Sequence, residues 1–197
     1  MLIKNKKAAM EMSVGTIVTI VLLMSVLVLG LILIKNIFRT GIDVIKMTDD
    51  QLKDEINKLF SEDDKVVIYP DTRQQEVRQD EQNGIGLGIR NTLTGSGSAK
   101  AFDYEIDVST DATILQRECQ IREQEVMTWF VAGSQKEENI HIPSGDFITR
   151  KTLLNIPVGA PLCTIRFSVN VGVRDSAGGG RTSFANDFFF ITIKPRR

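Results

Sequence analysis

Between Val14 and Ile34 the chain runs for 21 residues without a charged side chain, reading VGTIVTIVLLMSVLVLGLILI. As a helix rising about 1.5 Å per residue, that run is about 30 Å long, the thickness of a bilayer's hydrocarbon core. It has no polar face to turn toward water, and a small domain has too little interior to hide it. Gly15, Thr16, Thr19, Ser25 and Gly30 are all tolerated in membrane helices. A cleaved secretory signal fits less well. The run is about twice the length of a usual apolar signal core, and it exits into Lys35-Asn36-Ile37-Phe38-Arg39 rather than a small-residue cleavage site. One membrane-spanning helix over 14–34 is the expectation, with membrane lipid as its partner.

The rest of the 197-residue chain leaves room for one further domain of ordinary size. With 24 basic against 25 acidic residues there is no surplus of positive charge to hold nucleic acid. Lys4, Lys6 and Lys7 precede the span while Lys35, Arg39 and Lys46 follow it, a near balance under the positive-inside rule. The cysteines tip the orientation. Cys119 and Cys163 both lie far beyond the span, outside any C-x-x-C pair. They are either two separate buried thiols or one disulfide, whose closed loop of about 45 residues stabilises by about 3–4 kcal/mol. The expectation is the disulfide, with the N-terminus inside and the distal domain extracellular.

Residues 1–13 form a short basic cytoplasmic head. Residues 35–60 are helix-compatible and form a helical stalk. Phe38, Ile45, Leu52 and Leu59 recur every seven residues, with Ile42 and Ile56 beside them. Thr48 followed by Asp49 and Asp50 reads as a helix start, so the helix either runs on from the membrane or restarts there after a bend at Gly41. The stripe packs either on the chain's own domain or on neighbouring subunits.

From Lys65 the pattern changes to short alternating or β-branched segments such as KVVIYP, GIGLGIRN, AFDYEIDV, FITRKTLLNIP, CTIRFSVNVGV and FANDFFFITIK. Turn clusters separate them at 93–98, 143–146 and 175–180. Ile165, Phe167, Val169, Val171 and Val173 point one way along their strand; Thr164, Arg166, Ser168 and Asn170 point the other. Five or more such strands without long intervening helices give an immunoglobulin-like sandwich over 65–197. The fold class is therefore α+β, a long N-terminal transmembrane helix followed by an all-β immunoglobulin-like sandwich. Residues 111–141 read equally as an insertion helix or a polar edge strand.

No chemistry-bearing constellation emerges. Gly84-Ile85-Gly86-Leu87-Gly88 lacks the strand–helix context of a phosphate loop and describes a strand whose outer face lies under a loop or another backbone. His141, beside Pro143, is the lone histidine and reads as a surface-loop residue. Asp103, Glu105 and Asp107 share one strand face, an arrangement able to hold a cation but without EF-hand spacing. Neither a nucleophile–base pair nor a metal cluster is present, so the expectation is no enzyme, no metal and no cofactor.

The string Lys6-Lys7-Ala8-Ala9-Met10-Glu11-Met12-Ser13, leading straight into the apolar span, resembles the class III signal of type IV pilins, in particular archaeal pilin-like proteins and archaellins. The resemblance implies cleavage by a membrane-embedded peptidase beside Lys6, Lys7, Ala8 and Ala9. It also implies a filament core built from the remaining helix, a role for Glu11 in subunit register, and a β-sandwich head facing outward. A cut after Lys6 makes Glu11 the fifth residue, and a cut after Ala8 makes it the third. On its own chemistry, Glu11 either pairs with a freed amine of a neighbouring copy or favours the positive end of its own helix. The implied function is a structural cell-surface subunit that associates with itself through the N-terminal helix. The alternative is an uncleaved, singly anchored module whose sandwich binds a surface ligand.

Overall fold

The computed structural model describes residues 6–39, 44–94, 100–174 and 180–196, and the side chains of all of these except 6–14 and 34–39. The chain divides into two compact units, Met1–Gly41 and Ile42–Arg197.

The first unit is helix α1, Lys6–Arg39. Within it Gly15–Leu33 has a mean hydropathy of 2.9 and no buried residue, so it is long and apolar enough to cross a membrane. Its hydroxyls add no unmet polarity. Thr19 Oγ1 donates to the carbonyl of Gly15 at 2.7 Å and Ser25 Oγ to that of Val21 at 2.8 Å, each one turn back.

The second unit opens with a 3-10 turn, Val44–Lys46, and helix α2, Asp49–Leu59. The sequence left open whether the helix restarts at Thr48, and it does. Thr48 Oγ1 accepts from the Gln51 amide at 3.2 Å, and Gln51 Oε1 accepts from the Thr48 amide at 3.0 Å. This is a capping box, with Asp49 and Asp50 at the positive end of the helix. Gly41, where a bend was expected, lies outside the described residues.

Eight strands follow: β1 Val66–Tyr69, β2 Gln74–Arg78, β3 Gln82–Arg90, β4 Lys100–Val108, β5 Lys136–Ile142, β6 Phe147–Asn155, β7 Thr164–Arg174 and β8 Thr182–Lys194. They form a three-stranded sheet, β1-β3-β6, and a five-stranded sheet, β2-β8-β7-β4-β5. All pairs are antiparallel except β2 with β8. In immunoglobulin lettering the small sheet is A-B-E and the large one carries G-F-C-C′, so the strand order itself gives an immunoglobulin-like sandwich. β1 and β2 divide the first strand between the sheets, joined by a turn in which the Arg73 amide donates to the Pro70 carbonyl at 2.8 Å.

The alternation read from β7 holds, with Ile165, Phe167, Val169, Val171 and Val173 all buried. Phe167 stacks on Phe189 at 5.1 Å and meets Phe130 edge-on at 5.5 Å. The ambiguous stretch 111–141 contains both expected elements. A short helix α3, Ala112–Ile114, runs into a π-helical turn, Leu115–Cys119; helix α4 follows at Glu123–Met127, and then β5 on the edge of the large sheet. Leu115, Cys119, Ile121, Val126, Trp129 and Phe130 from this insertion are all buried.

Helix α2 belongs to the sandwich unit. Leu52 and Ile56 are buried against the outer face of the small sheet, so this half of the stripe packs on the chain's own domain. The side chain of Phe38, where the stripe begins, lies outside the described residues. Alternating glycines admit the helix. A Cβ on Gly86 would sit 2.5 Å from Leu52 Cδ1, and one on Gly88 would sit 2.8 Å from Val67 Cγ2 and closer still to Ile56 Cγ2. The compact unit thus begins before residue 65, the boundary expected for the sandwich, because α2 completes one of its faces.

Candidate functional site

Lys6, Lys7, Ala8, Ala9 and Glu11 are backbone members of α1, and Lys6 is its first residue. Their side chains lie outside the described residues, so no processing or assembly contact is assigned to them. Cys119 and Cys163 are joined in a disulfide, with Cα atoms 5.6 Å apart and a sequence separation of 44. It ties the π-helical turn of the insertion to the loop before β7.

Asp103, Glu105 and Asp107 do share one face of β4, but guanidinium and amide groups occupy the place a cation would take. Arg181 Nε lies 2.6 Å from Asp103 Oδ2, and Arg181 Nη1 lies 3.8 Å from Glu105 Oε2. Arg174 Nη2 spans Asp103 at 3.6 Å and Glu138 at 3.7 Å. Asn170 Nδ2 donates to Asp107 Oδ2 at 3.1 Å. This pairing was not legible from local pattern, because the partners arrive from β7 and from Arg181, just before β8. Among the described residues, no three His, Cys, Asp or Glu side chains converge on a metal position.

Two other singled-out features resolve into architecture. Gly84, Gly86 and Gly88 lie on β3, with α2 over the last two, and open no phosphate cradle. His141 is exposed, but it sits on strand β5 rather than on the expected surface loop, its Nδ1 3.0 Å from the Asn139 carbonyl oxygen. The turn expected at 143–146 forms, with Gly145 at φ +80° and the Asp146 amide donating to Pro143 at 3.1 Å.

Two surface features were missed. The first is a half-buried aromatic pair on the outer face of the large sheet, Phe188 and Phe190, in T-shaped contact at 5.7 Å. Arg166 lies over Phe188 at 4.3 Å and Arg73 at 5.6 Å. Arg73 also pairs at 2.9 Å with Asp187, whose carboxyl is pushed up by burial despite that partner. The run Phe188-Phe189-Phe190 was its signal, since three aromatics on one strand cannot all face inward. The second is a cleft of about 430 Å³ between α2 and the outer edge of β6, lined by Asp49, Leu52, Lys53, Phe147, Arg150 and Lys151 among others. Lys151 Nζ donates to the Met47 carbonyl at 2.6 Å and pairs with Asp49 at 2.8 Å, which holds the Asp49 carboxyl below the usual range. Arg150 forks onto Glu137 at 2.5 and 2.9 Å, and this carboxylate raises the guanidinium still further.

No family model matches the chain, and no curated protein does. Among solved structures it is similar to the ASH/PapD-like domain of human CEP192 (PapD-like domain 7), at 10% identity and a TM-score of 0.38, over 67% of this chain and 85% of that one. It is also similar to the class 5 fimbriae chaperone CfaA, at 15% identity and a TM-score of 0.33, over 65% of this chain and 54% of that one. Fold and site together define a class: an immunoglobulin-like sandwich carried behind one apolar, span-length helix.

Proposed function

We propose that this chain is a pilin-like structural subunit of a cell surface, anchored or assembled through α1 and displaying its sandwich outside. The observation that carries the reading is Gly15–Leu33, whose apolar surface is buried by none of the described residues. Lipid covers it in the anchored state, and copies of the same helix cover it in a filament. The sandwich suits display, since Cys119–Cys163 braces the insertion against the loop before β7. The basic string before the span and Glu11 supply the likeness to pilin signals.

The test is Glu11→Ala in the full chain, with the mature N-terminus read by intact mass. The span is long enough to insert without Glu11, so membrane-fraction levels should hold. Crosslinked ladders or filaments formed by the wild type should disappear, because loss of one partner leaves a buried charge unpaired, at about 3–5 kcal/mol per contact. Equal assembly by the mutant, or no higher-order species from the wild type, ends the subunit reading in favour of a singly anchored binding module.

A further inference from the structure

The four sheet edges of the sandwich are not equally protected. β1 is four residues long and β2 five, too short to template much pairing. β5 meets β4 with a register shift between Phe102 and Tyr104, and its Asn139 sits at φ +59°. By contrast β6 keeps an unbroken nine-residue register with β3. In immunoglobulin-like sheets of the A-B-E-D type a further strand covers that edge. Here β5 passes to β6 through the turn at 143–146 alone, and the covering strand is missing.

The covering that exists is partial. The Val131 amide donates to the Leu153 carbonyl at 2.9 Å, and the Asn155 amide donates to the Trp129 carbonyl at 2.7 Å. These bonds show that the odd-numbered residues of β6 aim their backbone groups away from β3, as alternation in an antiparallel ladder requires. From Phe147 to Lys151 no other backbone segment continues the row among the described residues; the Phe147 amide donates to Asp146 Oδ1 at 2.8 Å, and the Thr149 carbonyl accepts from Arg150 Nη1 at 3.1 Å, which leaves it one free lone pair. Beside it lies the 430 Å³ cleft under α2.

We infer that this open edge pairs antiparallel with the same edge of a second copy of the chain, about a two-fold axis at Thr149. The sequence Phe147-Ile148-Thr149-Arg150-Lys151 is self-complementary in that register. Thr149 opposes Thr149 of the other copy, and the two exchange backbone hydrogen bonds. Lys151, its ammonium held by Met47 and Asp49, opposes Phe147 on the α2 face with its aliphatic stem, and Arg150 opposes Ile148 on the inner face. A shift of two residues toward the C-terminus would set Arg150 against Arg150. No like charges meet in the centred register, and the inward-facing Arg150 is already neutralised by Glu137. The pairing is isologous and closes on itself. It acts through the sandwich and does not depend on how α1 assembles.

Cysteine scanning of the full chain in its native membrane tests this, since Cys119 and Cys163 are already joined. Thr149→Cys should give disulfide-linked dimers under mild oxidation, because hydrogen-bonded antiparallel partners lie about 5.5 Å apart at Cα, within disulfide reach. Phe147→Cys and Lys151→Cys should each fail alone, their copies being about 13 Å apart along the strands, and should crosslink when co-expressed. Val158→Cys, on an exposed loop, sets the collisional background. Thr149→Cys crosslinking no better than Val158→Cys overturns the inference, and so does Lys151→Cys alone crosslinking as well as Thr149→Cys. The same dimers persisting in Glu11→Ala/Thr149→Cys would separate this edge from helix-driven assembly; their loss there would show that the contact forms only inside a helix-built assembly and would overturn the independent edge.

Discussion

Substituting Gly88 by Ala tests how α2 is held. The new Cβ would sit 2.8 Å from Val67 Cγ2 and 3.1 Å from Phe60 Cε2, with Ile56 Cγ2 nearer than either. Ile56 is fully buried and β-branched, so its χ1 cannot swing aside freely. Overpacking of this kind costs about 1–3 kcal/mol. Removing a glycine from a strand interior returns about 0.5–1 kcal/mol. The net destabilisation is about 1–2 kcal/mol, a fall in midpoint of about 2–8 °C for a chain of this size. Thermal unfolding of the detergent-solubilised chain, followed by near-ultraviolet circular dichroism of the buried Trp129, reads it directly. Gly180→Ala is the control, because a Cβ there meets nothing within 4 Å. Ile56→Ala removes the colliding methyl, so combined with Gly88→Ala it should cost less than the sum of the two single changes. A Gly88→Ala midpoint equal to that of Gly180→Ala, or strict additivity with Ile56→Ala, would refute the close docking of α2.

Two further outcomes follow from the sandwich. Thiol labelling of the unreduced chain after unfolding should find no free cysteine, and replacing Cys119 and Cys163 by Ser should destabilise by about 4 kcal/mol for a 44-residue closure; stoichiometric labelling would rule the bridge out. Burial, with Glu137 nearby, pushes the Tyr104 hydroxyl up to about 12 from 10, so the folded state keeps its proton where the unfolded chain loses it. That contribution is complete below pH 10 and is lost as pH rises toward 12, by up to about 3 kcal/mol. Tyr69 is raised as well, again by burial, so both phenolate transitions of the native protein should lie above that of the unfolded chain; a native transition coinciding with the unfolded one would refute the burial of that ring.

What the sequence disclosed was whatever depends on local period. The apolar run, the alternation of β7 and the Thr48 start are each contained within about 20 residues, and each lies where the pattern puts it. The glycines of β3 signalled a close neighbour but not which one, because Leu52 and Ile56 reach them from about 30 residues upstream. The acids of β4 were read only as able to hold a cation, and their true partners went unseen because Arg174 and Arg181 are remote in sequence. The short helices after Asp111 were obscured by a π-helical turn, whose period matches neither a helix nor a strand template. The open edge of β6 was invisible for a different reason. It is defined by a strand that is absent, and no residue carries a signal for that.

Lys151 shows how these parts connect. Its side chain is held by the Met47 carbonyl and by Asp49, at the start of α2. An acid in the first turn is already favoured by the helix's positive end, so Asp49 serves the cap and the lysine together. The backbone groups of Lys151 point away from β3, along the edge of β6 that no further strand covers. One residue therefore fastens the segment that leads into the sandwich and also ends the stretch of β6 that no further strand covers. Loosening α2 would release the side chain that keeps a charge beside that edge, and charged side chains are what deter indiscriminate strand pairing. If the proposed edge pairing holds, the docking of α2 and the selectivity of that edge share this one contact, without any change in the strands themselves.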